Sequence, residues 1–246
     1  MPANSNITLS IASFDPVFSG GGLTRALKVT RSARARRMRL AVDPRDGAVK
    51  LILPRRAALA PALAWAEQQR EWIEAALAAV PAGQPLAPGT TVPLDGAALT
   101  IAWRREASRT VRREGDMLRV GGPEELVPGR VLRWLRAEAA RALDSETRVM
   151  ATRAGVTVGR VRIGDPRSRW GSCSSSGDIS YSWRLILMPP AVRTAIVAHE
   201  VAHRLHMDHG PDFHAAVGHL FGREPKAERA WLRANGTRLH GIGRVD

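Results

Sequence analysis

The sequence predicts an α+β chain: a β-rich N-terminal portion over residues 1–125, followed by a mainly helical portion over residues 126–246. Three observations carry this expectation. Turn dipeptides at Asp46-Gly47, Asp95-Gly96 and Gly115-Asp116 each separate short runs of strand-like residues. A long amphipathic pattern runs from Arg130 to Ala154. The polar, glycine-rich break between them, GGPEELVPG at 121–129, is short, so one continuous domain stays open as an alternative.

The elements follow in order. RRMRLAVDPRDGAVKLILP reads as a hairpin about Asp46-Gly47, a pair suited to positive φ. Residues 62–80 form one helix, with Trp65, Trp72, Ile73, Leu77 and Val80 on its apolar face. PAGQPLAPGT is a Pro/Gly-rich linker, and two further hairpins turn at Asp95-Gly96 and Gly115-Asp116. The helix after residue 130 buries Val131, Trp134, Leu135, Ala139, Ala142, Leu143 and Met150, and Gly155 suits its C-terminal stop. VTVGRVRIGD is a strand, and SRWGSCSSSGDISYSWRLILM is two strands joined through Ser174–Asp178. Proline opens the helix PPAVRTAIVAHEVAHRLH and another at Pro211. A last helix spans about 224–235 and is stopped by Gly236. Trp65, Trp72, Trp134 and Trp231 sit on helical apolar faces and are expected in the core, with Trp103 and Trp183 on strands. No internal repeat is evident.

Composition narrows the class. Hydrophobic residues make up 44% of the chain, too many for a disordered one. No apolar run approaches the roughly 18–20 residues that span a bilayer, and the N-terminus carries no secretory pattern. Cys173 is the single cysteine, which fits a reducing compartment, so a soluble cytoplasmic protein is expected. The formal charge of +14 admits a nucleic-acid partner. All but three of the 37 basic residues are arginine, however, and with the alanine excess this resembles codon bias. Arg31, Arg34, Arg36, Arg37 and Arg39 form the densest cluster. Because Met38, Leu40 and Val42 alternate with Arg37 and Arg39, the arginines are expected on a solvated strand face.

The chemistry concentrates in AHEVAHRLHMDHGPDFH at 198–214, which holds five of the seven histidines. His199 and His203 are four apart, about 6 Å along a helix axis, so both imidazoles can meet one ion. Glu200 follows the first as in H-E-x-x-H, where the carboxylate serves as general base to a water on the metal. The neighbours Ile196, Val197, Ala198, Val201 and Ala202 are apolar or small, so the charged residues lie where charge is costly unless it binds something. Three histidines compete to be the third ligand. His206 would stand about 10.5 Å along a continuous helix from His199, too far to share a tetrahedral ion. His214 lies a turn into the next helix. His209 follows His203 by six, as in H-E-x-x-H-x-x-G-x-x-H, with His206 at the glycine position. His209 is the expected ligand and His214 the main alternative.

The stretch RSRWGSCSSSGDISYSWRLILMPPAVRTAIVAHEVAHRLHMDHGPDF resembles the signature region of the YgjP-like metal-dependent hydrolases, relatives of the SprT-like zinc metallopeptidases. The likeness is dense over 167–213 and looser at AERAWLRANG, VTRSARARRMRLAV and EWIEAAL. Ser182 stands where the family usually has asparagine, and His214 where an aromatic residue usually follows Phe213. The resemblance implies a zincin-like domain, a small sheet beside the active-site helix, Zn2+ held by three histidines including His209, and a peptide or protein substrate. Zinc-dependent peptide hydrolysis assisted by Glu200 is therefore the expected activity. A metal-dependent phosphohydrolase acting on nucleotides or phosphate esters is the alternative enzyme. A nucleic-acid-associated module with a structural metal is the alternative from another class. Cys173 is expected to be structural or mildly reactive, and Arg167, Arg169 and Trp170 to brace the sheet edge. Tyr181 and Arg169 are candidate oxyanion stabilisers, neither of them assigned.

Overall fold

The computed structural model describes residues 16–20, 23–43, 46–166 and 168–245. Arg167 therefore lies outside the described residues. The chain divides into two compact units, residues 1–82 and 83–246. The break at 121–129 falls inside the second unit, because the strands before it and the helices after it bury their side chains in one core.

In the first unit, β1 (Val17–Gly20), β2 (Leu23–Ser32), β3 (Arg39–Val42) and β4 (Val49–Pro54) form a sheet of order β1-β2-β4-β3. The β3–β4 pair is the expected hairpin, in register Val42↔Val49, with Gly47 at φ +65°. Val49, Leu51 and Leu53 alternate inward and are fully buried. The expected single helix is two, α1 (Leu59–Gln68) and α2 (Arg70–Ala78), parted at Gln69 (φ −93°, ψ 17°). That break resets the buried face. Ile73 is fully buried while Trp72, expected in the core, is 48% exposed.

The second unit opens with β5 (Thr91–Leu94), β6 (Ala97–Trp103), β7 (Arg112–Glu114) and β8 (Met117–Val120), ordered β5-β6-β8-β7. Both expected hairpins are present. Asp95 and Gly96 have φ of 52° and 81°, the two positive values of a type I′ turn. Helix α3 (Val127–Ala154) ends at Gly155 in the left-handed conformation. Its buried stripe of Val131, Leu135, Ala139 and Leu143 recurs every four residues. A three-stranded sheet, order β10-β11-β9, joins β9 (Val161–Gly164), β10 (Gly171–Cys173) and β11 (Ile179–Ser182). The second expected strand stops at Ser182, whose side chain accepts from the Arg184 amide and caps a short 3-10 turn over Trp183–Leu187. Helices α4 (Pro190–Ala202), α5 (Pro211–Phe221) and α6 (Lys226–Leu239) complete the unit. Gly236 does not stop α6. It is buried within the helix, where a Cβ would stand 3.1 Å from the Trp170 ring. Among the described residues, no helix is long and apolar enough to cross a membrane.

Two buried arginines fix the frame around α4. Arg193 pairs with Asp95 of the β5–β6 turn and, at 2.7 Å, with Glu146 of α3. Arg184 donates to the carbonyls of Leu239 and Ile242 at 2.9 and 2.8 Å, pairs with Asp165 and stacks on Trp183. Replacing Arg184 by alanine takes the donor from the Ile242 carbonyl and leaves the Leu239 carbonyl with the Ile242 amide alone, at 3.3 Å. Urea unfolding should show a loss of roughly 2–4 kcal/mol. Arg184→Lys should recover less than half of it, since an ammonium lacks the planar fork.

Candidate metal centre

Helix α4 carries His199 and Glu200 in its last turn and ends at Ala202, with His203 as its C-cap. The helix is therefore shorter than expected, and the chain leaves it before His206 rather than after. The Arg204 and Leu205 amides bond back to the Val201 and Ala202 carbonyls, and the chain then returns past His209 into α5. His206, at the position of the motif's glycine, needs no left-handed backbone: Asp95 is the sole non-glycine with positive φ among the described residues. That is why histidine is tolerated there.

The turn brings His199, His203 and His209 together, with one ring nitrogen from each lying within 4.8 Å of the others. The Nε2 atoms of His199 and His209 are 3.3 Å apart. Two nitrogens bound tetrahedrally at 2.0–2.1 Å are separated by about 3.3 Å, so this pair already has the spacing of one edge of a zinc-like site. The Nδ1–H of His203 donates to the His206 carbonyl at 3.2 Å, which leaves Nε2 unprotonated and turned to its neighbours. His206 thus contributes its backbone, and its ring is not in the cluster. His214 is exposed and also outside the cluster. Phe213, fully buried, packs against all three rings, with centroids 4.6–4.9 Å away.

Electrostatics favour the neutral form of His199 and His203. Burial, then the charges of His203 and the other nearby imidazoles, holds His199 down to about 4. Burial also lowers His203. Neutral imidazole is the form that binds metal. Glu200 is only 5% exposed, and burial pushes its carboxyl up to about 7 against the opposing pull of Arg169. Its seat is made by Gly171 of β10, where a Cβ would fall 2.4 Å from the carboxylate oxygen. This accounts for the glycine of R-W-G-S-C.

The other candidates separate clearly. Tyr181 is fully buried and its hydroxyl bonds Thr147 of α3 at 3.1 Å, so it is turned into the core. Burial raises the Cys173 thiol against the opposing pull of Arg204, and the thiol donates to the Ser174 carbonyl. Arg169 is exposed beside Glu200 and lines a cavity of about 370 Å³ that His199 and Glu200 also line. Phe213, Gly171 and this cavity escaped the sequence reading. Only the spacing of Val192, Ala195, Ile196, His199 and Glu200 along one helical face could have signalled the cavity.

A helix giving two imidazoles and the following turn a third defines a class of metal centre shared by many hydrolases. Residues 36–235 match the model of the YgjP-like metallopeptidase domain, and the chain belongs to that family of metal-dependent peptidases. Neither a curated protein nor a solved structure gives a match.

The raised carboxyl has a measurable consequence in metal-free protein. Glu200 is protonated in the fold up to about pH 7 but ionises near 4.5 when unfolded, so its contribution to stability falls as pH rises between those values. Glu200→Gln removes this penalty. In urea unfolding without metal, the variant should match the parent below pH 4.5 and exceed it by roughly 1–3 kcal/mol at pH 8. A difference independent of pH contradicts the assignment.

Proposed function

We propose that the protein is a zinc-dependent peptidase whose ligands are His199, His203 and His209 and whose general base is Glu200. The observation that carries this reading is the convergence of three imidazoles beside a buried carboxyl that opens into a cavity. A bound zinc ion would polarise the scissile carbonyl and acidify the attacking water. Glu200 takes the proton of that water and passes it to the leaving amine. A carboxyl poised near 7 suits both transfers. Arg169 supplies the cationic group beside the reacting atoms where oxyanion charge develops. Strand β10 lies at the edge of its sheet, with β11 on its other side, so an extended peptide can pair along it. A phosphohydrolase with paired metals calls for several carboxylates, whereas the grouped ligands among the described residues are the three histidines.

Two sets of variants test the reading. Zinc affinity, measured by competition with a chelating dye, should fall at least roughly 100-fold in His209→Ala, more than loss of an outer-sphere partner costs. It should survive in His214→Ala and His206→Ala, since one ring is outside the cluster and the other residue acts through its carbonyl. Glu200→Gln should keep full zinc content and lose about 10²–10⁴-fold in hydrolysis of a denatured protein substrate. Wild-type turnover in that variant refutes the mechanism.

A further inference from the structure

The cavity beside His199 and Glu200 has a defined chemical character. Along α4, Val192, Ala195 and Ile196 precede His199 and Glu200 on one face, at i, i+3, i+4, i+7 and i+8. The apolar wall and the reactive pair are therefore one continuous surface, with Ala195 and Ile196 a single turn, about 5.4 Å, from the pair. Val217 of α5, Leu232 of α6 and Trp170 close the other sides. A residue of extended chain spans about 3.3–3.6 Å. The residue next to a bond held at Glu200 thus has its side chain at the cavity mouth.

Charge excludes one alternative occupant. Glu228 lines the cavity, but Arg223 engages both its carboxylate oxygens, at 2.5 and 3.0 Å. Apart from the Glu200 carboxyl at the reactive end, no unpaired anion among the lining residues is left to select a basic side chain. The remaining charged lining groups are Arg169 and Arg229, the latter paired with Glu224, and both repel a basic side chain. At about 370 Å³ the cavity lies within the range of pockets that enclose small molecules, and it has room for a leucine, methionine or phenylalanine side chain.

We infer that this cavity is a specificity pocket that takes the bulky apolar side chain of the residue flanking the scissile bond. The inference rests on the peptidase reading for the bond that is cut, while the pocket's preference can be measured apart from it. Small flanking residues leave the apolar wall unfilled, and a difference of even one methylene in such a pocket is worth roughly 10–200-fold. Gly171 and Trp170 connect the pocket to the edge strand: both line it, and Gly171 begins β10. A chain paired along that edge crosses the pocket mouth.

Two measurements decide it. In the first, the metal-free full-length protein is titrated with N-acetyl-phenylalanine amide or N-acetyl-glycine amide while the methyl resonances of Val192, Val217 and Leu232 are followed by NMR. Saturable shifts with the phenylalanine compound alone are expected. Equal shifts with both, or none with either, overturn the pocket. In the second, the zinc-loaded protein is given a peptide library. Cut sites should carry leucine, methionine or phenylalanine on one fixed side, with alanine there cut at least tenfold more slowly. Ala195→Leu, which narrows the cavity, should move the preference toward alanine and valine. Leu232→Ala, which widens it, should admit tryptophan. Cleavage indifferent to the flanking residue, or a preference unmoved in both variants, overturns the inference and leaves the peptidase reading intact. Absence of all cleavage with phenylalanine-selective methyl shifts refutes the peptidase reading and upholds the pocket's apolar preference.

Discussion

The Glu200 carboxylate occupies space that any side chain on Gly171 would need, and much of the site depends on this contact. It requires the backbone of β10 to approach α4 closely enough that a Cβ would fall 2.4 Å from the carboxylate oxygen. The approach takes Glu200 out of water, which raises its pKa toward neutrality. It also places an edge strand alongside His199 and Glu200. A methyl group at residue 171 would push helix and strand apart, and burial and proton affinity would change together.

A contact this close needs a rigid surround. Arg193 anchors α4 to the β5–β6 turn and to α3. Arg184 binds the last turn of α6 and the segment after it, and Gly236 of the same helix lets Trp170 pack within van der Waals range. Trp170 in turn stacks on His240, with ring centroids 5.2 Å apart. The motifs R-W-G-S-C and W-R-L-I therefore divide the work: Gly171 and Trp170 shape the site, while Trp183 and Arg184 hold the frame. Phe213 links the two levels. It belongs to the apolar core yet touches each of the three imidazoles, so core packing orients the rings before any ion binds.

What the sequence made legible was local chemistry. Asp95-Gly96 and Asp46-Gly47 announced their hairpins because positive φ narrows the choice of residues, and His199, Glu200 and His203 were visible because helical spacing fixes who meets whom. Tertiary decisions were not legible. Nothing in the residues around Gln69 marks the break that turns Trp72 outward, and Gly236 resembles a helix stop until Trp170 is packed against it. The turn at His206 was obscured because its contribution is a carbonyl, and every residue has one. The two four-stranded sheets share one strand order, hairpin beside hairpin with a parallel seam, although no repeat is evident in their residues. Topology was kept by hydrophobic alternation and turns, which many sequences satisfy.

The arginine excess finds a structural use in the same terms. Arg31 donates to the carbonyls of Arg55 and Ala57, Arg204 to those of Thr157 and Ser175, and Arg184 to those of Leu239 and Ile242. Arg70, Arg130 and Arg148 each reach one further carbonyl outside their own turn of helix. Carbonyls in loops and at helix ends have no ladder partner, and a planar guanidinium can serve two at once where lysine offers a single point. Codon bias can supply arginines in number, but it does not place them against pairs of carbonyls in irregular backbone. In Arg204 this use meets the site directly: it pins the loop joining β10 to β11, and so the strand whose glycine seats Glu200. These six arginines hold irregular backbone still, a use that needs no polyanionic partner.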